Sequence, residues 1–411
     1  DMIRSRSRSR AALRLNNDSM LRLDQRSSII FPATQEDKNI SLLDFIEGAI
    51  YIITRTPKPF RIRTPFVNAS VDGTEFLVRV HGNDAEVVVY EGKVSVSNDW
   101  GRLALNDHEA AIIHKDQAPQ KEIVIAPIDA VQWALYYPTI LGYWQDRGTQ
   151  DIDALIHRAG QLLNTGQAEE ARTIIQHVLQ QQPDNSDAYA LLAIVAVVQN
   201  DKDQALGSAT AAVTHHPQSA AAHLALSYAQ QAHFEIEAAL KSVQQAMLLD
   251  PQHALAWARI AELRMSLGEL EQARQAAQQA VKLNPALSKT QTILGFAQLL
   301  QLETQAAKAM FQHAIELDQT DPMPRLGLGI ALIREGSLEA GRIELEIAAS
   351  LDPANSLIRS YLGKAYFEEK RYPLSSAQFD LAKERDPKDP TPWLYDGIQK
   401  QTQNRPVEAL R

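Results

Sequence analysis

The sequence predicts a mainly α-helical protein with an all-β unit at its N-terminal end. Two observations carry this. Pro183, Pro217, Pro251 and Pro285, then Pro353 and Pro387, recur on one 34-residue interval, and Leu317-Asp318-Gln319 holds the register between the two groups. A fixed period of that length marks stacked helical hairpins. Before about residue 150 the period is missing. There the chain alternates apolar and polar residues in short runs broken by Gly, Asn, Asp and Pro, which reads as strands and turns. The fold class is therefore a small β unit followed by an α-α superhelical solenoid, in which each hairpin buries its apolar face on its neighbours.

The β unit is assigned to residues 1–126. Ala11-Ala12-Leu13-Arg14-Leu15 reads as a strand, so the unit is expected to be incomplete at its N-terminus. Phe60-Arg61-Ile62-Arg63, Phe76-Leu77-Val78-Arg79-Val80, Glu86-Val87-Val88-Val89-Tyr90 and Lys93-Val94-Ser95-Val96 alternate in the same way. His81-Gly82-Asn83-Asp84 and Asn98-Asp99-Trp100-Gly101 supply turns. The tract Arg4-Ser5-Arg6-Ser7-Arg8-Ser9-Arg10 also has period two. It fits a strand face pointing arginine at solvent; the functional alternative is a small patch for an anionic partner.

Residues 127–151 form a junction rich in aromatic side chains: Trp133, Tyr136, Tyr137 and Trp144. So many are expected to order the segment and pack it against both units. An exposed aromatic binding patch is the other reading.

The solenoid is assigned to residues 152–411. With each proline at position 32, units begin at 152, 186, 220, 254, 288, 322, 356 and 390, giving seven complete repeats and a partial eighth. The eighth position is small in almost every unit (Ala193, Ala261, Gly295, Gly329, Gly363), and so is the twentieth (Ala205, Ala239, Ala273, Ala307), where helices must approach closely. His223 and Ser227 make the third unit the most divergent. The last unit stops at Arg411, so Leu394 and Ile398 are expected to be covered by further chain or by self-association.

The chain has 411 residues, 45% apolar and 22% charged, with net charge −9 and no cysteine. This excludes disulfides and thiol chemistry and argues against nucleic-acid binding. No apolar run is long enough to predict a membrane span. His215-His216 with His223 could be proposed as a metal site, but helix-terminal histidines are common and no carboxylate set accompanies them. No phosphate loop or nucleophile elbow occurs. No cofactor and no enzymatic activity are expected.

The repeat resembles the tetratricopeptide family, through the small residues above and the aromatic fourth positions Tyr189, Trp257 and Trp393. The N-terminal part resembles the FecR family, through Arg63-Thr64-Pro65, Val71-Asp72-Gly73-Thr74-Glu75-Phe76-Leu77-Val78 and Val89-Tyr90-Glu91-Gly92-Lys93-Val94. That resemblance implies an extracytoplasmic, β-solenoid-like domain that senses or relays envelope signals. The helical segment that meets a sigma factor is not found here, so sigma-factor regulation is not carried over.

In tetratricopeptide stacks, positions 2, 5, 9 and 12 of each first helix form the inner wall. Here they include Ile194, Leu224, Tyr228, Met265, Phe296, Leu299, Met323, Leu326, Ile330, Ile333 and Phe367. Such a wall reads either as the self-burying interior of a tight superhelix or as an apolar groove for a partner helix or extended segment. The carboxylate clamp of some relatives needs Lys and Asn at positions 5 and 9, which are mostly apolar here. The expected function is a non-enzymatic interaction scaffold of the bacterial envelope, periplasmic or at the cell surface. The alternative is a FecR-type regulator whose β domain senses a ligand and gates partner binding. A third possibility is an enzyme with its catalytic domain beyond residue 411.

Overall fold

The computed structural model describes all residues except 1, 8, 17–18, 33–40, 55–59, 72–73, 124–136, 142–150, 165–166 and 410–411. The chain divides into two compact units, Asp1–Ala134 and Leu135–Arg411.

The first unit is built from β1 (Met2–Arg4), β2 (Ala11–Arg14), β3 (Met20–Leu23), β4 (Ser28–Ile30), β5 (Ser41–Ile53), β6 (Phe60–Arg63) and β7 (Asn68–Val71). It continues with β8 (Glu75–His81), β9 (Asp84–Glu91), β10 (Val94–Asn98), β11 (Gly101–Leu105), β12 (Glu109–His114) and β13 (Gln120–Ile123). The main path runs β11-β10-β7-β6-β5-β8-β9-β12-β13. Strand β5 organises it. Its first half pairs β4 and β6, and its second half pairs β3 and β8. Gly48 marks the change of partner, with φ +99° and Ser27 Oγ only 2.2 Å from where a Cβ would stand. No L side chain fits that bend. The two halves enclose Phe45, Ile50, Ile52, Phe60, Phe76 and Val78, all essentially buried.

The Arg-Ser tract is not a strand face. Strand β1 ends at Arg4 and β2 begins at Ala11, so the tract is the connection between them. Alternation alone could not reveal this, because the tract bonds to the β3–β4 connection, which its own sequence does not name. The Ser27 N–H donates to Ser5 Oγ at 2.8 Å, and Arg10 Nε lies 3.4 Å from Asp24 Oδ1. Such side-chain bonds give the backbone an alternative to a ladder.

The second unit is helical: α1 (Ile152–Asn164), α2 (Ala168–Gln181), α3 (Ser186–Val198), α4 (Lys202–His215), α5 (Ala220–Ala232), α6 (Ile236–Leu249), α7 (Ala254–Ser266) and α8 (Leu270–Leu283). It continues with α9 (Ser288–Leu300), α10 (Thr304–Leu317), α11 (Pro322–Arg334), α12 (Leu338–Leu351), α13 (Ser356–Glu368), α14 (Tyr372–Arg385), α15 (Pro390–Thr402) and α16 (Pro406–Ala409). Each odd-numbered helix begins on the first residue of a 34-residue unit. Asn185, Ser219, Asp321, Asn355 and Asp389 cap such helices with a side-chain oxygen, satisfying first-turn N–H groups that have no helical partner. Helices α2, α4, α6, α8, α12 and α14 stop where proline forces the preceding residue, such as Asp250 or Asp352, out of helical geometry, and α10 ends in the same extended geometry at Asp318 without one.

Two further regularities tie the repeats. From α3 onward, the turn inside each hairpin holds a left-handed residue: Asn200, Phe234, Gly268, Leu302, Gly336, Lys370 and Asn404. At the fourth position, an N–H donor reaches back six residues to the carbonyl that precedes the helix. His223 Nε2, Trp257 Nε1, Gln291 Nε2 and Arg359 Nε bond the carbonyls of Pro217, Pro251, Pro285 and Pro353 at 2.9, 3.0, 2.7 and 3.2 Å. This explains why His223 stands where an aromatic was expected: at these boundaries the position demands a donor. At the 319 boundary Arg325 instead donates to Glu344 at 2.8 Å.

Candidate protein-binding face

The inner-wall residues do not form one exposed strip. Ile194, Leu224, Leu299 and Leu326 are fully buried. Tyr228, Met265, Phe296, Met323, Ile330, Ile333 and Phe367 are half-buried. Phe296 and Ile330 each border two core clusters, one around Leu326, Leu345 and Ile358 and one around Leu299, Phe311 and Leu328. Phe296 meets Phe311 edge-on with ring centres 5.0 Å apart. The wall therefore has a buried layer that holds helices together and a half-buried layer above it with apolar surface left over.

Between Tyr228 and Asp321 the wall carries a charged cluster that its apolar pattern conceals. Arg259 is only 2% exposed. Its Nε donates to Ser227 Oγ and its Nη2 to the Ser227 carbonyl, both at 3.0 Å, and its Nη1 reaches Glu262 at 3.1 Å. The guanidinium lies 3.9 Å from the centre of the Tyr228 ring, a favourable stacking for a desolvated cation. Lys289 closes the set with an ion pair to Glu262. Burial alone would raise the Glu262 carboxyl, but the Lys289 and Arg259 charges overcome it and hold the group below the usual carboxylate range. Burial would likewise lower the Lys289 ammonium; Glu262 overcomes it and keeps the cation charged. Asp321, which caps α11 through the Met323 N–H at 2.9 Å, is pushed up to about 6 by burial, with the Lys289 charge opposing.

The sequence signal for this cluster was a matched pair of departures one repeat apart. Ser227 stands where the neighbouring units have Ala or Gly, and Arg259 lies on the following first helix, 32 residues on. Neither is informative alone.

Beside the cluster is a cavity of about 230 Å³ lined by Tyr228, Leu255, Ala286, Leu287, Ser288, Lys289, Leu317 and Asp318. Pro138 and Thr139 of the junction line it too. Tyr137 is buried at 1% exposure. Trp133, Tyr136 and Trp144 lie outside the described residues. Residues 137–141 belong to the same compact unit as the helices.

His215 stacks on Tyr189 with ring centres 5.4 Å apart. Among the described residues no group of three His, Cys, Asp or Glu side chains could hold a metal ion, and no helix is long and apolar enough to cross a membrane. On α15 and α16, Trp393, Leu394, Ile398 and Val407 are 41–65% exposed.

Residues 1–95 match the family model for FecR protein, and residues 162–227, 254–287 and 326–390 match tetratricopeptide repeat models. The chain thus carries a FecR domain followed by a tetratricopeptide solenoid. No curated protein sequence matches it. Among solved structures it is similar to the APC/C hetero-tetramer Cut9-Hcn1, with a TM-score of 0.53 at 21% identity. That match covers 62% of this chain and 51% of the other, so the chain spans about half the length of that relative. A putative anti-sigma factor from Parabacteroides distasonis matches at 20% identity, covering 40% of this chain and 75% of that one, with a TM-score of 0.30. A thermophilic TPR protein of Thermus thermophilus matches at 21% identity, covering 44% of this chain and all (100%) of that one, with a TM-score of 0.40. At these identities the likeness concerns the fold.

Proposed function

We propose that the chain is a non-enzymatic interaction scaffold of the bacterial envelope, periplasmic or at the cell surface. In this reading the FecR domain anchors or senses and the inner wall of the solenoid holds a protein partner. The observation that carries it is the half-buried apolar layer of Tyr228, Met265, Phe296, Met323, Ile330, Ile333 and Phe367, whose members keep part of their apolar surface exposed even where they pack on the core clusters. A helix needs no second apolar stripe to fold, and surplus apolar surface on one face marks a docking site. The Arg259–Glu262–Lys289 cluster lies on the same wall and would set the register of a bound segment. Net charge of −9 argues against nucleic acid as that partner. The exposed apolar side chains of α15 and α16 support a second contact there, with another copy or with another protein.

The test is capture from envelope extracts, with mass-spectrometric identification, by the wild-type chain and by Tyr228→Asp and Ile330→Asp variants. Half-buried anchors at an interface centre contribute about 1–3 kcal/mol each, so both variants should lose the partner while keeping native helicity. Retention by both would move the partner elsewhere. Leu326 is unsuited to this test, because at 1% exposure its loss would unfold the core.

The FecR domain also supports a regulator in which a ligand on the β unit gates the solenoid.

A further inference from the structure

The inner wall already has an occupant. Tyr137 and Ile140 are each 1% exposed, so a stretch without helix or strand geometry is buried as deeply as the helix cores. The Thr139 hydroxyl donates to Asn164 Oδ1 at 3.0 Å, at the end of α1. Leu141 Cδ1 lies 3.5 Å from where a Cβ on Gly160 would stand, so a glycine in α1 makes room for it. Pro138 and Thr139 face Tyr228, Leu255 and Lys289 across the cavity. Tyr228 and Leu255 are wall positions on consecutive first helices, and Lys289 is the wall position on the next.

We infer that residues 137–141 are an intramolecular ligand of the inner wall. They mark it as a site for uncharged segments of the same kind, with a Pro-Thr pair facing the cavity between buried apolar neighbours. This rests on the reading of the wall as the partner-binding face. The chemistry matches on both sides. Tyr137-Pro138-Thr139-Ile140-Leu141 carries no charge, and the two cations of the cluster beside the cavity, Arg259 and Lys289, are already paired with Glu262. An acidic tail would find no free cation in that cluster. Proline at 138 removes a backbone donor and fixes φ, so seating the strap costs less backbone entropy. An external partner of the same pattern must displace the strap, and its apparent affinity is reduced by the fraction of chains in which the wall stands open.

The experiment uses the full chain and a fluorescent peptide of residues 137–141 with a solubilising tail. In the released chain, Tyr137→Asp with Ile140→Asp, the peptide should bind at least about tenfold more tightly than to wild type, as expected when the open fraction is below about a tenth. Adding Tyr228→Asp should abolish that gain. Equal binding to wild type and released chain, no binding to either, or binding that survives Tyr228→Asp each overturns the inference. Should the released chain fail to fold, a second variant decides. The chain has no cysteine, so Thr139→Cys with Asn164→Cys places the only two thiols at the strap contact. A short bifunctional thiol-reactive cross-linker should join them fully in the native chain; thiols left unjoined overturn the seating. If the peptide fails but a Tyr228-dependent envelope partner is still captured, the strap inference falls and the binding wall stands.

Discussion

Lys202 and Asp386 are 184 positions apart in sequence, yet Lys202 Nζ donates to both carboxylate oxygens of Asp386, at 3.0 and 3.2 Å. Beside them Asn200 Nδ2 donates to the Arg385 carbonyl at 2.7 Å. The turn of the second repeat thus touches the end of the seventh. The second and seventh repeats are therefore in direct contact across the solenoid. Lys202 also lies over the Phe234 ring at 5.1 Å, which gives that exposed left-handed phenylalanine a partner.

Breaking this contact should change shape more than stability. A partly exposed ion pair contributes about 0–1 kcal/mol, so Asp386→Asn should barely move the unfolding midpoint. Small-angle scattering should show an expanded solenoid, and wild type should expand in the same sense at high salt. A scattering profile unchanged by both would mean that helix packing alone sets the shape.

Asp321 should give the protein a pH signature. Its folded-state value of about 6 stands above the ordinary value of 3.8. The folded chain therefore binds this proton more tightly than the unfolded chain does. Its contribution to stability falls as pH rises from about 4 to about 6 and is level above. The full effect is on the order of 2–3 kcal/mol. Asp321→Asn keeps an N-cap of equal quality and removes the buried charge. Denaturant titrations across pH 4–7 should show a flatter profile for the variant and a gain at neutral pH. The same slope in both chains would refute the assignment.

Phe311 should be coupled to the glycines it packs on. A Cβ on Gly327 would lie 2.3 Å from Phe311 Cε1, and one on Gly295 would lie 2.7 Å away. The ring fills the gap these residues leave between α9 and α11. Gly327→Ala should cost about 1–3 kcal/mol through overpacking. Phe311→Leu should cost markedly less in that background than in wild type, giving a coupling of about 0.5–3 kcal/mol. Additive losses would show that the backbone shifts to absorb the methyl.

The repeat frame was legible because spacing is a covalent property. The period read from the prolines places Ser186, Ala220, Ala254, Ser288, Pro322, Ser356 and Pro390 on first helical residues, and the structure has helices starting there. Strands such as Phe60–Arg63 were equally plain, since one buried face enforces alternation. The Arg-Ser tract misled because its alternation had no apolar member to bury. The wall was legible in composition but not in depth. Leu326 and Ile330 look alike in sequence, and only packing separates the buried one from the half-buried one. The strap was opaque, because nothing in Tyr137–Leu141 names the helices it lies against.

The bonds from His223, Trp257, Gln291 and Arg359 back to the preceding proline carbonyls have a mechanical consequence. Each is a clasp that straddles a repeat boundary and spans only six residues, so it holds until the boundary itself is pulled straight. A chain stretched from its ends should yield boundary by boundary. At the 319 boundary Arg325 turns to Glu344 instead, so the clasp is missing there. Under tension the 319 boundary, which has no such bond, should therefore yield before its clasped neighbours at Pro285 and Pro353.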